Sequence, residues 1–175
     1  PAKGTMASVL AAAESMPNLS DKGFDALEKS LNATRAKYHR VDLIADTTVL
    51  IDVWRFRNKR QRIQDLVEKA GQYSLVVPWI VQAEFTRGAL HQSISREEIS
   101  GFLGGFLLMP LDQAVIDAYC DLWVALAKNG LSRDYPDLWI AAHALTRSSP
   151  LLTRNPKHFE SIPGLEVVSY SISAK

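Results

Sequence analysis

The chain has 175 residues, 47% of them hydrophobic, which suits one globular domain with a sizeable core and an appendage. Its net charge of +1 gives no global bias toward polyanions, so any nucleic-acid surface is expected to be a local patch. No apolar stretch approaches the roughly 20 residues that cross a membrane. The single cysteine, Cys120, excludes an internal disulfide framework and fits a reducing cytoplasm. Its helical context predicts a small buried side chain rather than a nucleophile.

Residues 1–40 differ from the rest and are predicted to form an N-terminal extension with a helix. Pro1–Ser20 is small and polar without a period, so we expect a loose segment there. Asp21–Tyr38 has the pattern of a helix with three apolar residues on one face. These residues are Phe24, Leu27 and Leu31. Three docking surfaces remain open for this helix: the domain itself, a twin subunit or another protein.

From Val41 onward, strand and helix patterns alternate, and residues 41–175 are predicted to be the main domain. The predicted strands are Val41–Ala45, Tyr73–Val77, Phe106–Leu111, Pro150–Thr153 and Leu165–Ser169. The predicted helices are Thr48–Arg57, Gln61–Ala70, Ile80–Leu90, Ser95–Leu103, Ala114–Lys128, Pro136–Thr146 and Pro156–Ser161. Strands separated by helices imply right-handed crossovers, so we predict an α/β fold with a mainly parallel sheet of four to five strands.

Four acidic positions occur where a parallel sheet would bring them together. Asp46 ends the first strand, and Glu84 follows the apolar run of the second. Asp134 and Asp137 open the helix that precedes the fourth strand. Ligands of open α/β sheets bind beyond the carboxyl ends of the strands, where gathered carboxylates repel one another unless a cation neutralises them. Since hard cations take oxygen ligands, we predict a Mg²⁺ or Mn²⁺ site.

Each acid also has a structural alternative. Asp46 is placed to cap the helix that follows it, and Glu84 to pair with Arg87 one turn later. Asp137 and Asp134 lie near a helix start, where negative charge is favourable. The shared position of Asp46 and Glu84 after consecutive strands favours the ligand interpretation.

A run of basic residues begins near the end of the predicted helix Thr48–Arg57 and continues beyond it. Its members are Arg55, Arg57, Lys59, Arg60 and Arg62. Most such runs are solvated helix faces, and the functional alternative is an RNA-backbone surface or a landing site for an acidic partner. Asp52 is expected to pair with Arg55 or another basic neighbour, and Arg154, near the predicted site, is a candidate phosphate contact.

The tryptophans fall at apolar positions of predicted helices, where we expect core packing. They are Trp54, Trp79, Trp123 and Trp139. The apolar outer helices also suggest a dimer interface, with Leu122, Trp123 and Leu126 as candidates. His143 lies in an apolar helix and is expected to be a packed residue rather than a base.

Val41–Tyr170 resembles the PIN domain, and most closely the VapC-like toxin ribonucleases of bacterial toxin–antitoxin systems. Four motifs carry the resemblance, in family order over about three-quarters of the chain. They are Asp46–Asp52, Val81–Phe85, Asp137–Ala144 and Leu152–Phe159, with Leu165–Val167 closing the pattern. The resemblance implies a three-layer α/β/α domain around the parallel sheet.

The resemblance further implies a metal-dependent endoribonuclease that a cognate antitoxin holds inactive. By this analogy Asp46, Glu84 and Asp137 are metal ligands and catalytic residues. A Mg²⁺ or Mn²⁺ ion there can generate a hydroxide nucleophile and stabilise charge on the cleaved phosphate. The expected partners are an RNA substrate, the antitoxin and a second copy of the chain. No association with a membrane is expected.

The sequence departs from the family pattern after Thr153. Many relatives carry a fourth acid in that segment, whereas this chain has Asn155 and His158. Asn155 offers a carbonyl oxygen without charge, which weakens a second metal most, and Asp134 is the candidate to compensate. Thr48 and Thr153 are expected to orient a water or a ligand carboxylate. An alternative function is therefore a catalytically weak PIN-like module that binds RNA or protein.

Overall fold

The structure, a computed structural model, describes residues 1–15, 41–131 and 135–174. Its strands are β1 (Asp42–Ala45), β2 (Ser74–Pro78), β3 (Leu107–Met109), β4 (Leu151–Thr153) and β5 (Val167–Ser169). They form one parallel sheet in the order β3-β2-β1-β4-β5. The predicted α/β class and parallel sheet are confirmed.

Helices flank this sheet. They are α1 (Met6–Glu14), α2 (Thr47–Phe56), α3 (Gln64–Ala70), α4 (Trp79–His91), α5 (Arg96–Leu103), α6 (Gln113–Lys128) and α7 (Tyr135–Thr146). Short 3-10 helices cover Arg60–Ile63 and Pro156–His158, at the starts of the predicted helices Gln61–Ala70 and Pro156–Ser161. Among the helices of the described ranges, none has the length and apolar character to cross a membrane.

The register of the central strands places their carboxyl ends at one edge of the sheet. Ile44 of β1 pairs with Val76 of β2, and Ala45 pairs with Leu152 of β4. Helix α2 begins directly after β1, and α4 directly after β2. Residues in these helix starts and in the loop after β4 therefore share one edge, which is where ligands bind in such folds.

Helix α1 shows that the prediction of a loose segment over Pro1–Ser20 is wrong for residues 6–14. The Thr5 side chain caps the helix by accepting the Ser8 N–H at 3.1 Å. Four of its apolar side chains join the main core, namely Met6, Val9, Leu10 and Ala13. Because alanine and serine give little contrast between helix faces, the apolar period was weak in the sequence. The predicted helix Asp21–Tyr38 and the boundary at residue 40 lie outside the described residues.

Backbone contacts anchor the segment before α1. The Leu75 N–H donates to the Gly4 carbonyl at 2.7 Å, and the Gly4 N–H donates to the Gly105 carbonyl at 3.1 Å. The Ser8 hydroxyl also donates to the Gly105 carbonyl, at 2.6 Å. A Cβ at Gly105 would lie 2.8 Å from the Cα of Val9, so this close approach requires glycine.

Two residues of α6 are more exposed than predicted. Cys120 is exposed, and Trp123 keeps 48% of its surface in contact with solvent. The face of α6 that packs on the core carries Val115, Leu122 and Leu126. Cys120 and Trp123 point away from that face, so the prediction that both are buried is wrong.

The other three tryptophans are partly buried. Trp54 packs edge-to-face on Phe102, with ring centroids 5.2 Å apart, and Phe85 lies beside them. Trp79 and Trp139 meet edge-to-face at 5.9 Å. Core packing is therefore confirmed for Trp54, which contacts the main hydrophobic cluster.

His143 is fully buried in α7, as predicted for a packed residue. Its Nδ1 lies 2.9 Å from the Met109 sulfur. Burial lowers the pKa of His143 to about 4, with Asp112 opposing and Arg147 adding to the shift. The side chain is therefore neutral at pH 7 and serves packing.

The burial of α1 predicts that Leu10→Ala destabilises the domain. Leu10 is 2% exposed, so its truncation leaves a cavity and should lower the free energy of unfolding by about 2–5 kcal/mol. Urea denaturation followed by circular dichroism measures the change. The matched control is Leu131→Ala, at a site that is 41% exposed, where we expect a change of about 0.5 kcal/mol or less. Equal effects of the two variants would show that α1 does not belong to the core.

Candidate active site at the carboxyl edge of the sheet

Asp46 lies where β1 ends and α2 begins, and its side chain is buried. Its Oδ1 accepts the Thr47 N–H at 2.6 Å, so Asp46 caps α2. Its Oδ2 accepts the hydroxyl of Thr48 at 2.8 Å and that of Thr153 at 2.6 Å. Capping thus uses one oxygen, and the other is oriented by two hydroxyls from different elements.

Thr47 joins Asp46 to Glu84. Its N–H bonds to Asp46, and its hydroxyl donates to Glu84 Oε2 at 2.6 Å. Glu84 reaches this place because α4 starts after β2, the neighbour of β1 in the sheet. The structure therefore brings the two predicted acids together, and the hydrogen bond that it gives Glu84 comes from Thr47 rather than Arg87. Sequence reasoning did not select Thr47, although its place between Asp46 and Thr48 was a signal.

Asp137 lies in the first turn of α7 and contacts the segment after β4. Its Oδ2 is 3.2 Å from His158 Nδ1, and the Asp137 side chain is 16% exposed. His158 stands in the segment where the family resemblance implies a fourth acid. In this chain the His158 imidazole therefore contacts Asp137, where the resemblance implies a further carboxylate.

The donor set fits a hard cation that keeps much of its water. Within 1–15, 41–131 and 135–174, no three acidic or histidine side chains are already gathered at metal-binding distances. Asp46 and Glu84 form one pair through Thr47, and Asp137 with His158 forms another. Mg²⁺ is commonly held by one or two carboxylates and several waters, and each of these pairs offers one or two such carboxylates. Asp134 lies outside the described residues.

The loop after β4 supports the hydroxyls that contact Asp46. The Arg154 N–H donates to Thr48 Oγ1 at 3.2 Å. The Asn155 N–H donates to Thr153 Oγ1 at 3.0 Å, while the Asn155 residue is exposed. Thr48 and Thr153 therefore both donate hydrogen bonds to Asp46, the carboxylate predicted to bind the metal. Such contacts are typical of residues that orient a metal ligand.

Asp52 pairs with Arg154 and not with Arg55. It is fully buried on α2, whereas Arg55 is exposed, and its Oδ1 is 3.0 Å from Arg154 Nη1. The Tyr170 hydroxyl donates to Oδ2 at 2.8 Å. Burial raises the pKa of the Asp52 carboxyl, while the hydrogen bond from Tyr170 and the charges of Arg154 and Arg55 oppose that rise. Burial also raises the pKa of Tyr170, so its hydroxyl stays protonated.

The predicted basic run is divided between exposed and packed side chains. Arg57 lies over the Trp54 ring at 4.7 Å and donates to the Trp54 carbonyl at 2.6 Å. Arg60 pairs with Glu14 of α1. The exposed members are Arg55 and Lys59. Arg57 thus packs on its own helix and Arg60 contacts α1, while Arg55 and Lys59 face solvent.

Residues 43–165 match the family model of the PIN domain. Ribonuclease VapC1 of Methanocaldococcus jannaschii is 29% identical over 136 residues, which cover 78% of this chain and 88% of that protein. The family match covers four of the five strands, from Leu43 of β1 to β4, and the described acids Asp46, Glu84 and Asp137.

Solved structures share the fold. The VapBC2 structure from Rickettsia felis, bound to a DNA fragment from their promoter, has a TM-score of 0.63 at 22% identity, covering 74% of this chain and 99% of that chain. A toxin–antitoxin complex from Klebsiella pneumoniae has a TM-score of 0.54 at 26% identity, covering 72% and 95%.

The site geometry predicts that Thr153→Val destabilises the protein. The substitution removes the hydroxyl that donates to Asp46 and accepts from Asn155, so a buried carboxylate loses a donor. We expect the free energy of unfolding to fall by about 1–3 kcal/mol in urea denaturation. Thr146→Val is the control, because that hydroxyl bonds to carbonyls of its own helix. A loss no larger than in the control would show that Thr153 does not support Asp46.

Proposed function

Because the chain belongs to the PIN-domain family, we propose that it is a metal-dependent endoribonuclease and the toxin of a toxin–antitoxin pair. The observation that carries the proposal is the contact of Thr47 with both Asp46 and Glu84 at the carboxyl edge of the sheet. The ribonuclease name of the relative from Methanocaldococcus jannaschii supports the same activity.

In this proposal Asp46, Glu84 and Asp137 hold Mg²⁺ or Mn²⁺, and Asp134 remains a further candidate ligand. The bound ion supplies an activated water and offsets charge on the phosphate being cleaved. The chain contributes orientation, since Thr153 directs its hydroxyl to Asp46 Oδ2. Few protein ligands leave room for water in the coordination shell, which suits Mg²⁺.

The proposed substrate is RNA and the proposed protein partner is a cognate antitoxin. Exposed Arg55 and Lys59 supply the local positive charge that an RNA backbone needs, because the whole chain is nearly neutral. Structures of related chains as toxin–antitoxin complexes support the antitoxin. A cytoplasmic location, where RNA is available, goes with this proposal.

We expect the purified chain to cleave a mixed pool of RNAs with Mn²⁺ or Mg²⁺ and to stop in EDTA. Asp46→Asn and Glu84→Gln should each lower the cleavage rate by about 100-fold or more, because each removes a charged ligand that stabilises the transition state. Gel analysis of fragments measures the rate. Asp121→Asn, at an exposed acid on α6, is the control and should cleave normally.

Absence of cleavage with either ion, in protein free of any inhibitor, would overturn the nuclease. A PIN-like module that binds RNA or protein would then be favoured. The binding module is supported by Asn155 and His158, which occupy the segment where the resemblance implies a fourth acid. Filter binding of the same RNA pool would then test the module directly.

We further propose that the chain forms a homodimer through the outer face of α6. Trp123 and Val124 on this helix are 48% and 43% exposed. Tryptophan is enriched at protein interfaces, so the exposure of Trp123 beside Val124 supports a contact surface here. Leu122 and Leu126, also predicted as interface residues, are buried in the core of the monomer and so do not offer a contact surface.

Trp123→Glu should convert a dimer to a monomer, because it places a charge in the proposed apolar contact. Light scattering after size exclusion, over a range of protein concentrations, measures the mass. Val41→Glu is the control, since Val41 is 53% exposed elsewhere on the domain. A monomeric wild-type chain, or a Trp123→Glu variant that stays dimeric, would refute this interface.

A further inference from the structure

We propose that Arg154 is a positioning residue whose ion pair with Asp52 holds the β4 loop, residues 154–158, against the candidate active site. The effect on catalysis rests on the proposed ribonuclease function, whereas the position of the loop does not. It assigns Arg154 a role different from the phosphate contact that the sequence predicted.

The anchor of this loop is a buried carboxylate with both oxygens engaged. Asp52 is 0% exposed, and it receives Arg154 Nη1 at 3.0 Å on Oδ1 and the Tyr170 hydroxyl at 2.8 Å on Oδ2. Helix α2, the β4 loop and the segment after β5 therefore meet at one side chain. Leaving the buried Asp52 carboxylate without a partner would be costly. The ion pair therefore fixes the position of the Arg154 guanidinium.

Arg154 contacts α2 twice, one helical turn apart. Its side chain pairs with Asp52, and its backbone N–H donates to Thr48 Oγ1 at 3.2 Å. Because Thr48 and Asp52 are four residues apart, they lie on the same face of the helix. These two contacts fix both the position and the direction of the loop backbone where it leaves β4.

This backbone orients the hydroxyls that hold Asp46. Thr48 accepts the Arg154 N–H and donates to Asp46 Oδ2, and Thr153 accepts the Asn155 N–H and donates to the same oxygen. A hydroxyl that accepts a hydrogen bond on its oxygen has its own hydrogen directed elsewhere, here toward the carboxylate. Two successive N–H groups of the loop thus complete the hydrogen-bonded shell of Asp46.

The two roles of Arg154 give opposite expectations for Asp52→Asn. If Arg154 binds RNA phosphate, release from Asp52 leaves turnover intact and strengthens RNA binding. If Arg154 positions the loop, loss of its partner loosens the shell of Asp46 although Asp52, being fully buried, does not touch RNA. Groups that orient a metal ligand without touching the metal typically contribute about 10–100-fold to activity or metal affinity.

Amide hydrogen exchange by NMR tests the loop without any assay of function. We expect the Arg154 and Asn155 amides to exchange at least about tenfold faster in Asp52→Asn, while the strand amides keep their rates. Tyr170→Phe removes only one hydroxyl and should give a smaller increase at the same two amides. It carries the test should Asp52→Asn fail to fold. Unchanged exchange at both amides in a folded variant would overturn the inference.

RNA cleavage tests the catalytic consequence. Asp52→Asn and Arg154→Ala should each lower kcat by about 10–100-fold, with KM and its salt dependence unchanged. Glu97→Gln, at an exposed acid on α5, is the control and should leave kcat unchanged. An unchanged kcat with a lower KM in Asp52→Asn would assign Arg154 to phosphate binding and overturn the positioning role. A wild-type chain that cleaves no RNA would refute the proposed function, and the exchange rates would still decide the position of the loop.

Discussion

The buried carboxylate of Asp46 is the constraint on which the arrangement of the candidate site depends. A carboxylate removed from water needs hydrogen-bond donors, and at the end of a central strand these must come from adjoining elements. Thr47 and Thr48 supply them from the start of α2, and Thr153 from the end of β4. Strand order, strand ends and loop conformation are therefore coupled at this one side chain.

Two buried acids, Asp46 at the start of α2 and Asp52 within it, have different partners. Asp52 has a cationic partner within the chain, Arg154. Asp46 receives neutral donors, and Glu84 receives the Thr47 hydroxyl; in the part of the chain that the structure describes, neither acid forms an ion pair. This asymmetry supports the proposal that Asp46 and Glu84 are available to a metal, whereas Asp52 is neutralised within the chain.

The elements themselves were predictable because each has a strong local pattern. The three central strands β2, β1 and β4 are mostly buried apolar runs, as is typical of a parallel sheet covered on both faces, and Ser95 and Asp112 cap the helices that follow them. Helix α1 escaped prediction because its alanines and serines give little contrast between faces. Trp123 was predicted to lie in the core because it is apolar. The sequence did not show which face of α6 meets the sheet, and Trp123 lies on the other face.

The sequence by itself determined that Asp46 ends a strand and that Glu84 follows the next one, since both signals lie within a few residues. It also carried the motifs of the PIN family. Only the tertiary structure decided that Thr47 links the two acids and that Asp52 pairs with Arg154, 102 residues away, rather than with Arg55. The physical reason is that a buried charge is paired by whichever group the packed elements bring within reach, and sequence separation does not enter that choice.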